Sequence, residues 1–162
     1  MYTFFSDLKI IASFAVSSAE KAIENASALG VDVREAEECL EKAKNCFDEW
    51  EFELAKQYAD EAEKIATNLV IKLVEEAIKS AEEVVSNPSG IGANIEDARE
   101  FLREAKNALS DGQYKLALDY SEKAKNAASP IMSYKAFFVL IAIIIFVFSL
   151  LIYYKITTSK RE

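Results

Sequence analysis

Two thiols, three acidic runs and a single tryptophan are the side chains whose type and spacing bear on chemistry in this 162-residue chain. Cys39 and Cys46 stand seven residues apart. On one helix that spacing separates them by about 10 Å along the axis, too far for a bridge between them. Two thiols are also too few for a four-ligand metal site. They are expected as buried packing positions, with an intersubunit disulfide or redox role as the alternative. The acidic runs at 35–38, 60–63 and 75–76 have neither calcium-loop spacing nor the histidine partners of a di-iron bundle, and are expected on solvated helix faces. Histidine is absent, which removes imidazole acid–base chemistry and imidazole ligation. Four glycines and two prolines leave no material for a phosphate-cradling loop. A net charge of −8, from 19 basic and 27 acidic side chains, does not suit a nucleic-acid backbone. No nucleophile–base pair or array of oxyanion donors is readable. The expectation is a protein with no catalytic residue, no cofactor and no metal, and not an enzyme. Trp50 is the one candidate site residue, as an anchor for a protein partner.

The elements that must position these residues are duplicated. Residues 15–66 align with 77–128 at an offset of 62 without a gap. Glu20 and Glu82, Gly30 and Gly92, Lys44 and Lys106, and Tyr58 and Tyr120 are among the identical pairs. Cys39 and Cys46 fall opposite Phe101 and Ala108, as small or apolar packing positions would, and Trp50 falls opposite Gly112. Phe52 matches Tyr114, and matched aromatics of this kind are expected as core wedges, with a peptide groove as the alternative.

Capping signals and periodicity predict helices over 3–28, 33–47, 49–86, 95–109 and 111–128. Asp32 with Glu35, and Asn94 with Asp97, read as helix starts. Asp48 with Glu51, and Ser110 with Gln113, read as capping boxes or close variants. Apolar residues recur at alternating steps of three and four, as in Val33, Ala36, Leu40, Ala43, Phe47 and Trp50. On the third helix the same stripe runs through Ala55, Tyr58, Ala62, Ile65, Leu69, Leu73, Ala77, Ala81 and Val84. No glycine or proline interrupts 49–86, so its front half ends the first copy and its back half begins the second. The fold class expected is all-α, with two tandem antiparallel three-helix bundles sharing a long central helix. Residues 1–68 and 69–130 form the two repeats, and 131–162 form a C-terminal anchor and short basic tail.

The anchor rests on residues 136–154, AFFVLIAIIIFVFSLLIYY, which carry no charge. As a helix they measure roughly 28 Å, near the hydrocarbon thickness of a bilayer. Lys135 and Lys155 bracket them, with tyrosines at both ends. This predicts one transmembrane helix with the lipid bilayer as a partner. The chain start lacks a basic leader, because Asp7 precedes Lys9. Basic residues are equal in number on the two sides of the run, so the chain start alone places the helical domain of this single-pass, C-terminally anchored membrane protein in the cytoplasm, with a cleaved signal as the alternative.

The segment 112–130, GQYKLALDYSEKAKNAASP, resembles the second helix of a tetratricopeptide repeat through Gly112, Tyr114, Ala117, Ala124 and Pro130. The first copy keeps Phe52, Ala55 and Ala62 and has Trp50 in the glycine's place. The shared helix gives the whole a spectrin-like arrangement with a shorter repeat. The resemblance implies helical hairpins that bind peptides or proteins. The expected function is a membrane-anchored helical-repeat scaffold or adaptor for an unknown protein partner. A structural stalk, self-associating through its alanine-rich faces, or a small accessory subunit of a membrane complex is the alternative.

Overall fold

The computed structural model describes residues 2–88, 93–129 and 141–147. Helix α1 spans Tyr2–Ala28, α2 Arg34–Asp48, α3 Phe52–Ser86, α4 Ile95–Ser110 and α5 Tyr114–Ala128. Helices α1 and α2 pack on α3 and on each other, and α4 and α5 do the same. The result is two three-helix bundles around one unbroken helix of 35 residues.

Alanine builds most of this interior. Ala12, Ala15, Ala19 and Ala26 of α1 face Ala55, Ala59, Ala62 and Ala66 of α3, and all are buried. Side chains this small let helix axes approach closely, and they lose almost no rotamer freedom on burial. Among the described residues Val74 of α3 is the largest apolar side chain that is wholly enclosed. Ser121 is enclosed too, at the place where the first copy has Ala59. Its hydroxyl donates to the Ala117 carbonyl one turn back at 2.8 Å, so the extra polar atom is satisfied locally.

The duplication repeats in side-chain detail. Lys44 of α2 pairs with Glu20 of α1 at 2.7 Å, and Lys106 of α4 pairs with Glu82 of α3 at 2.7 Å. Both pairs are half-exposed, and each contributes about 0.2–1 kcal/mol.

The buried face of α3 is not a straight stripe. Its buried residues are Phe52, Ala55, Ala59, Ala62, Ala66, Val70, Val74, Ile78, Ala81 and Val85. From Ala62 to Ile78 the steps are all of four, and each overshoots a turn of 3.6 residues. The back half therefore presents a face turned by roughly 90° from the front face. The expected positions Leu69, Leu73, Ala77 and Val84 are only half-buried, because a regular three–four alternation would have kept one face throughout.

Helix ends also differ from the capping signals. Asn94 caps α4 as expected, its Oδ1 accepting from the Asp97 amide at 3.3 Å. Asp32 accepts from the Arg34 amide, the first of α2, at 3.3 Å and from the Arg34 guanidinium at 2.6 and 2.9 Å, although Val33 is the cap residue of α2. Asp48 ends α2 rather than starting α3, and Ser110 donates to the Asn107 carbonyl at 2.8 Å. Backbone closures have displaced these capping boxes, so α3 begins at Phe52 and α5 at Tyr114.

Among the described residues no helix is long and apolar enough to cross a membrane. This overturns the transmembrane helix expected at 136–154. Within that interval 141–147 are helical, and the rest of the interval lies outside the described residues. The longest helix, α3, carries charges along its whole length. The single-pass C-terminal anchor falls with the span. So do the bilayer as a partner, the membrane localisation with a cytoplasmic domain, the membrane-anchored function and the subunit of a membrane complex.

Because α3 serves both bundles, Leu69→Pro removes a backbone hydrogen bond at the junction and is expected to cost about 3 kcal/mol or more. Amide exchange should quicken in α1 and α5 alike; loosening of one bundle alone would contradict the shared helix. The Arg34 guanidinium beside Asp32 holds its carboxyl down at about 2 against an ordinary value of 3.8. The helix-entry clasp is therefore at full strength above pH 3.8 and lost as the pH falls through 2, a titration that the Asp32 side-chain carbonyl resonance should report.

Candidate functional site

Both hairpin corners are closed by the same backbone device. At the end of α2 the Trp50 amide donates to the Phe47 carbonyl at 3.1 Å, and the Glu51 amide reaches back to the Cys46 carbonyl at 2.9 Å. At the end of α4 the Gly112 amide donates to Leu109 at 3.1 Å, and Gln113 to Ala108 at 2.8 Å. These are Schellman closures, which require a left-handed residue at the turn. The second corner supplies Gly112, at φ +71°. The first supplies Trp50, at φ +67°, the one non-glycine residue with positive φ among those described.

A tryptophan in this conformation is strained by about 1–2 kcal/mol, because its Cβ crowds the backbone. What offsets that strain is visible around the ring. Trp50 lies 6.0 Å from Phe52, centroid to centroid, and the Lys9 ammonium of α1 stands 5.6 Å over its face. Phe52 in turn meets Phe47 edge-on at 5.2 Å. Phe52 is 4% exposed, whereas Trp50 is 63% exposed. The buried ring belongs to the core with Ala12 and Ala55, and the indole lies over the end of that core.

The surface at this corner combines apolar area with acidic neighbours. Leu8, Trp50, Phe52 and Leu54 line an open groove of about 410 Å³ together with Glu51 and Glu53. Asp48 and Glu49 are exposed beside it. A second groove of about 410 Å³ lies where the bundles meet, between Ala22 and Leu29 of the first and Tyr114 and Lys115 of the second.

The other sequence candidates are placed as follows. Cys39 is buried and Cys46 half-buried, and both are free thiols. Burial pushes both thiols up, helped by Glu61 at Cys39 and Glu51 at Cys46, so neither is a thiolate nucleophile at neutral pH. Among the described residues no cluster of three or more His, Cys, Asp or Glu side chains could hold a metal ion. Tyr58 and Tyr120 are half-buried and pack against the core, and Lys42 and Lys123 stand 6.0 and 5.1 Å over their rings. Tyr120 also stacks on Phe101 at 6.4 Å. Sequence reasoning found Trp50 and the glycine it replaces. It missed the left-handed backbone, for which the glycine at the duplicated position was the available signal.

No protein-family model, no curated protein and no solved structure matches this chain.

Two substitutions at Trp50 separate strain from packing. Trp50→Gly relieves the backbone and gives up the ring contacts, so stability should change by no more than about 1 kcal/mol. Trp50→Ala keeps the strain and loses the contacts, and should be the less stable of the two. Gly112→Ala has open space around the new Cβ, so its cost is the backbone strain alone, about 1 kcal/mol. Denaturant unfolding of the three variants tests this; equal stability of Trp50→Gly and Trp50→Ala would remove the strain from the account.

Proposed function

We propose that this protein is a helical scaffold that binds another protein without catalysing a reaction, and that the Trp50 corner is its anchor. The observation that carries the reading is an exposed tryptophan kept in a left-handed turn where the duplicated turn has glycine. The second corner shows that the fold closes well with glycine, so the indole is retained for something other than closing the turn. Large, rigid aromatic side chains with little rotamer entropy to lose are the usual anchors of protein interfaces. The rim of Asp48, Glu49, Glu51 and Glu53 favours a partner segment with apolar side chains flanked by lysine or arginine. In this reading the α2–α3 and α4–α5 hairpins serve as tetratricopeptide-like hairpins do, as rigid supports for a peptide-binding surface. The absence of histidine and the raised pKa values of both thiols support a non-catalytic role.

The test is photocrosslinking from Leu54 in cells, on the edge of the groove. One protein should be captured by the wild-type corner. Its yield should fall about thirty-fold with Trp50→Gly, corresponding to about 2 kcal/mol of binding. It should fall further when Glu51 and Glu53 are changed to Lys. Capture that ignores Trp50 would reject the anchor and leave the spacer reading, in which α3 only holds two bundles at a fixed separation.

A further inference from the structure

The alanine-rich faces that the sequence offered for self-association are consumed inside the bundles. A different face of α1 remains outside. Its buried side carries Ala12, Ala15, Ala19, Ile23 and Ala26. On the opposite side, at alternating steps of three and four, stand Asp7, Ile10, Phe14, Ser17 and Lys21, all exposed. Ile10 is 65% exposed, Phe14 76%, and the adjoining Ile11 46%.

The duplication provides an internal control for this face. The back half of α3 is the counterpart of α1, and its residues at the offset of 62 are Lys72, Glu76, Lys79 and Glu83, all exposed. With the same offset carried five residues beyond the aligned span along the continuous helices, they occupy the places of Ile10, Phe14, Ser17 and Lys21. The bundle therefore accepts a charged outer face on this helix, and the isoleucine and phenylalanine of α1 are not needed to build it. Exposed apolar residues gathered on a face that the fold does not require to be apolar mark an interface.

We propose that this face of α1 docks on the same face of a second copy of the chain, antiparallel, with Phe14 at the two-fold axis. In that register Asp7 of one copy lies opposite Lys21 of the other, twice, because both are seven residues from Phe14. Ile10 and Ile11 lie over Ser18 and Ser17, large side chains against small ones. A parallel pairing would set Asp7 against Asp7 and Lys21 against Lys21, and like charges exclude it. Among the described residues neither Asp7 nor Lys21 is committed to an ion pair within its own chain. The protein as a whole is acidic, so two copies repel over most of their surface. The stretch 7–21 is balanced, with Asp7 and Glu20 against Lys9 and Lys21. The apolar trio exposes on the order of 400 Å² per copy, and with its serine and charged rim the pair approaches the roughly 1,200 Å² at which specific interfaces begin. A reversible dimer of modest affinity follows.

Sedimentation of the full chain over a concentration series tests the pairing. The wild type should pass from monomer to dimer in the micromolar range. Asp7→Lys alone and Lys21→Asp alone each turn two attractions into two repulsions and should weaken the dimer about tenfold. The two changes together restore opposite charges across the axis and should recover the wild-type affinity within about threefold. Phe14→Asp should give a monomer with unchanged helicity by circular dichroism. A wild type that stays monomeric, single reversals without effect, or a double change that fails to recover would each overturn the proposal. A monomer whose Phe14 is nonetheless shielded from solvent labelling would assign the face to a segment of its own chain, and would overturn it too.

Discussion

The alanine face of α3 sets how close every other helix can stand. Packing around side chains of one carbon gives each bundle little apolar volume, so its stability comes from short interhelical distances and many dispersion contacts. A copy of about 60 residues built this way is marginal alone. The unbroken α3 removes that difficulty, because one continuous core runs from Ala15 in α1 through Val74 to Ala117 in α5. The largest wholly buried apolar side chain, Val74, lies in the back half of the shared helix, where the buried face turns from one bundle to the next.

The two copies share their scaffold, and their largest differences in polarity lie where they meet solvent. The Glu20–Lys44 and Glu82–Lys106 pairs and the Schellman closures repeat, and so do most of the buried alanines, with Ala59 against Ser121 an exception. Trp50 against Gly112, and Ile10 with Phe14 against Lys72 with Glu76, do not. Both departures lie in the first copy and both place apolar surface outside. The second copy presents the charged, glycine-closed version of the same structure. It reports what the fold needs, and the first copy reports what has been added to it.

Much of the architecture was legible because it is periodic. The offset of 62, the existence and approximate bounds of the five helices and the lack of any break between Phe52 and Ser86 follow from spacing and from where glycine and proline stand. The stripe on α3 was legible only in its front half, since one period cannot describe a helix that changes its buried face. The capping boxes at Asp48 and Ser110 were plausible chemistry that lost to a backbone closure. Side-chain capping and a Schellman turn satisfy overlapping sets of orphan groups, and the left-handed residue decided between them. The candidate anchor Trp50 was found by comparing copies, but its strained backbone and the lysine over its ring are tertiary facts. The run 136–154 was read from its length and lack of charge, and most of it lies outside the described residues.

A continuous helix between two bundles also behaves as a screw. Every residue added to or removed from α3 between Ala66 and Ile78 would turn one bundle against the other by about 100° and shift it by about 1.5 Å. The dihedral relation between the Trp50 corner and the second bundle is thus tied to residue number in α3, and the core that the bundles share holds it. A change of seven residues would nearly restore the phase, whereas a change of two would carry the corner to the far side. Length in this segment is an angular coordinate, and whatever engages both bundles at once measures it.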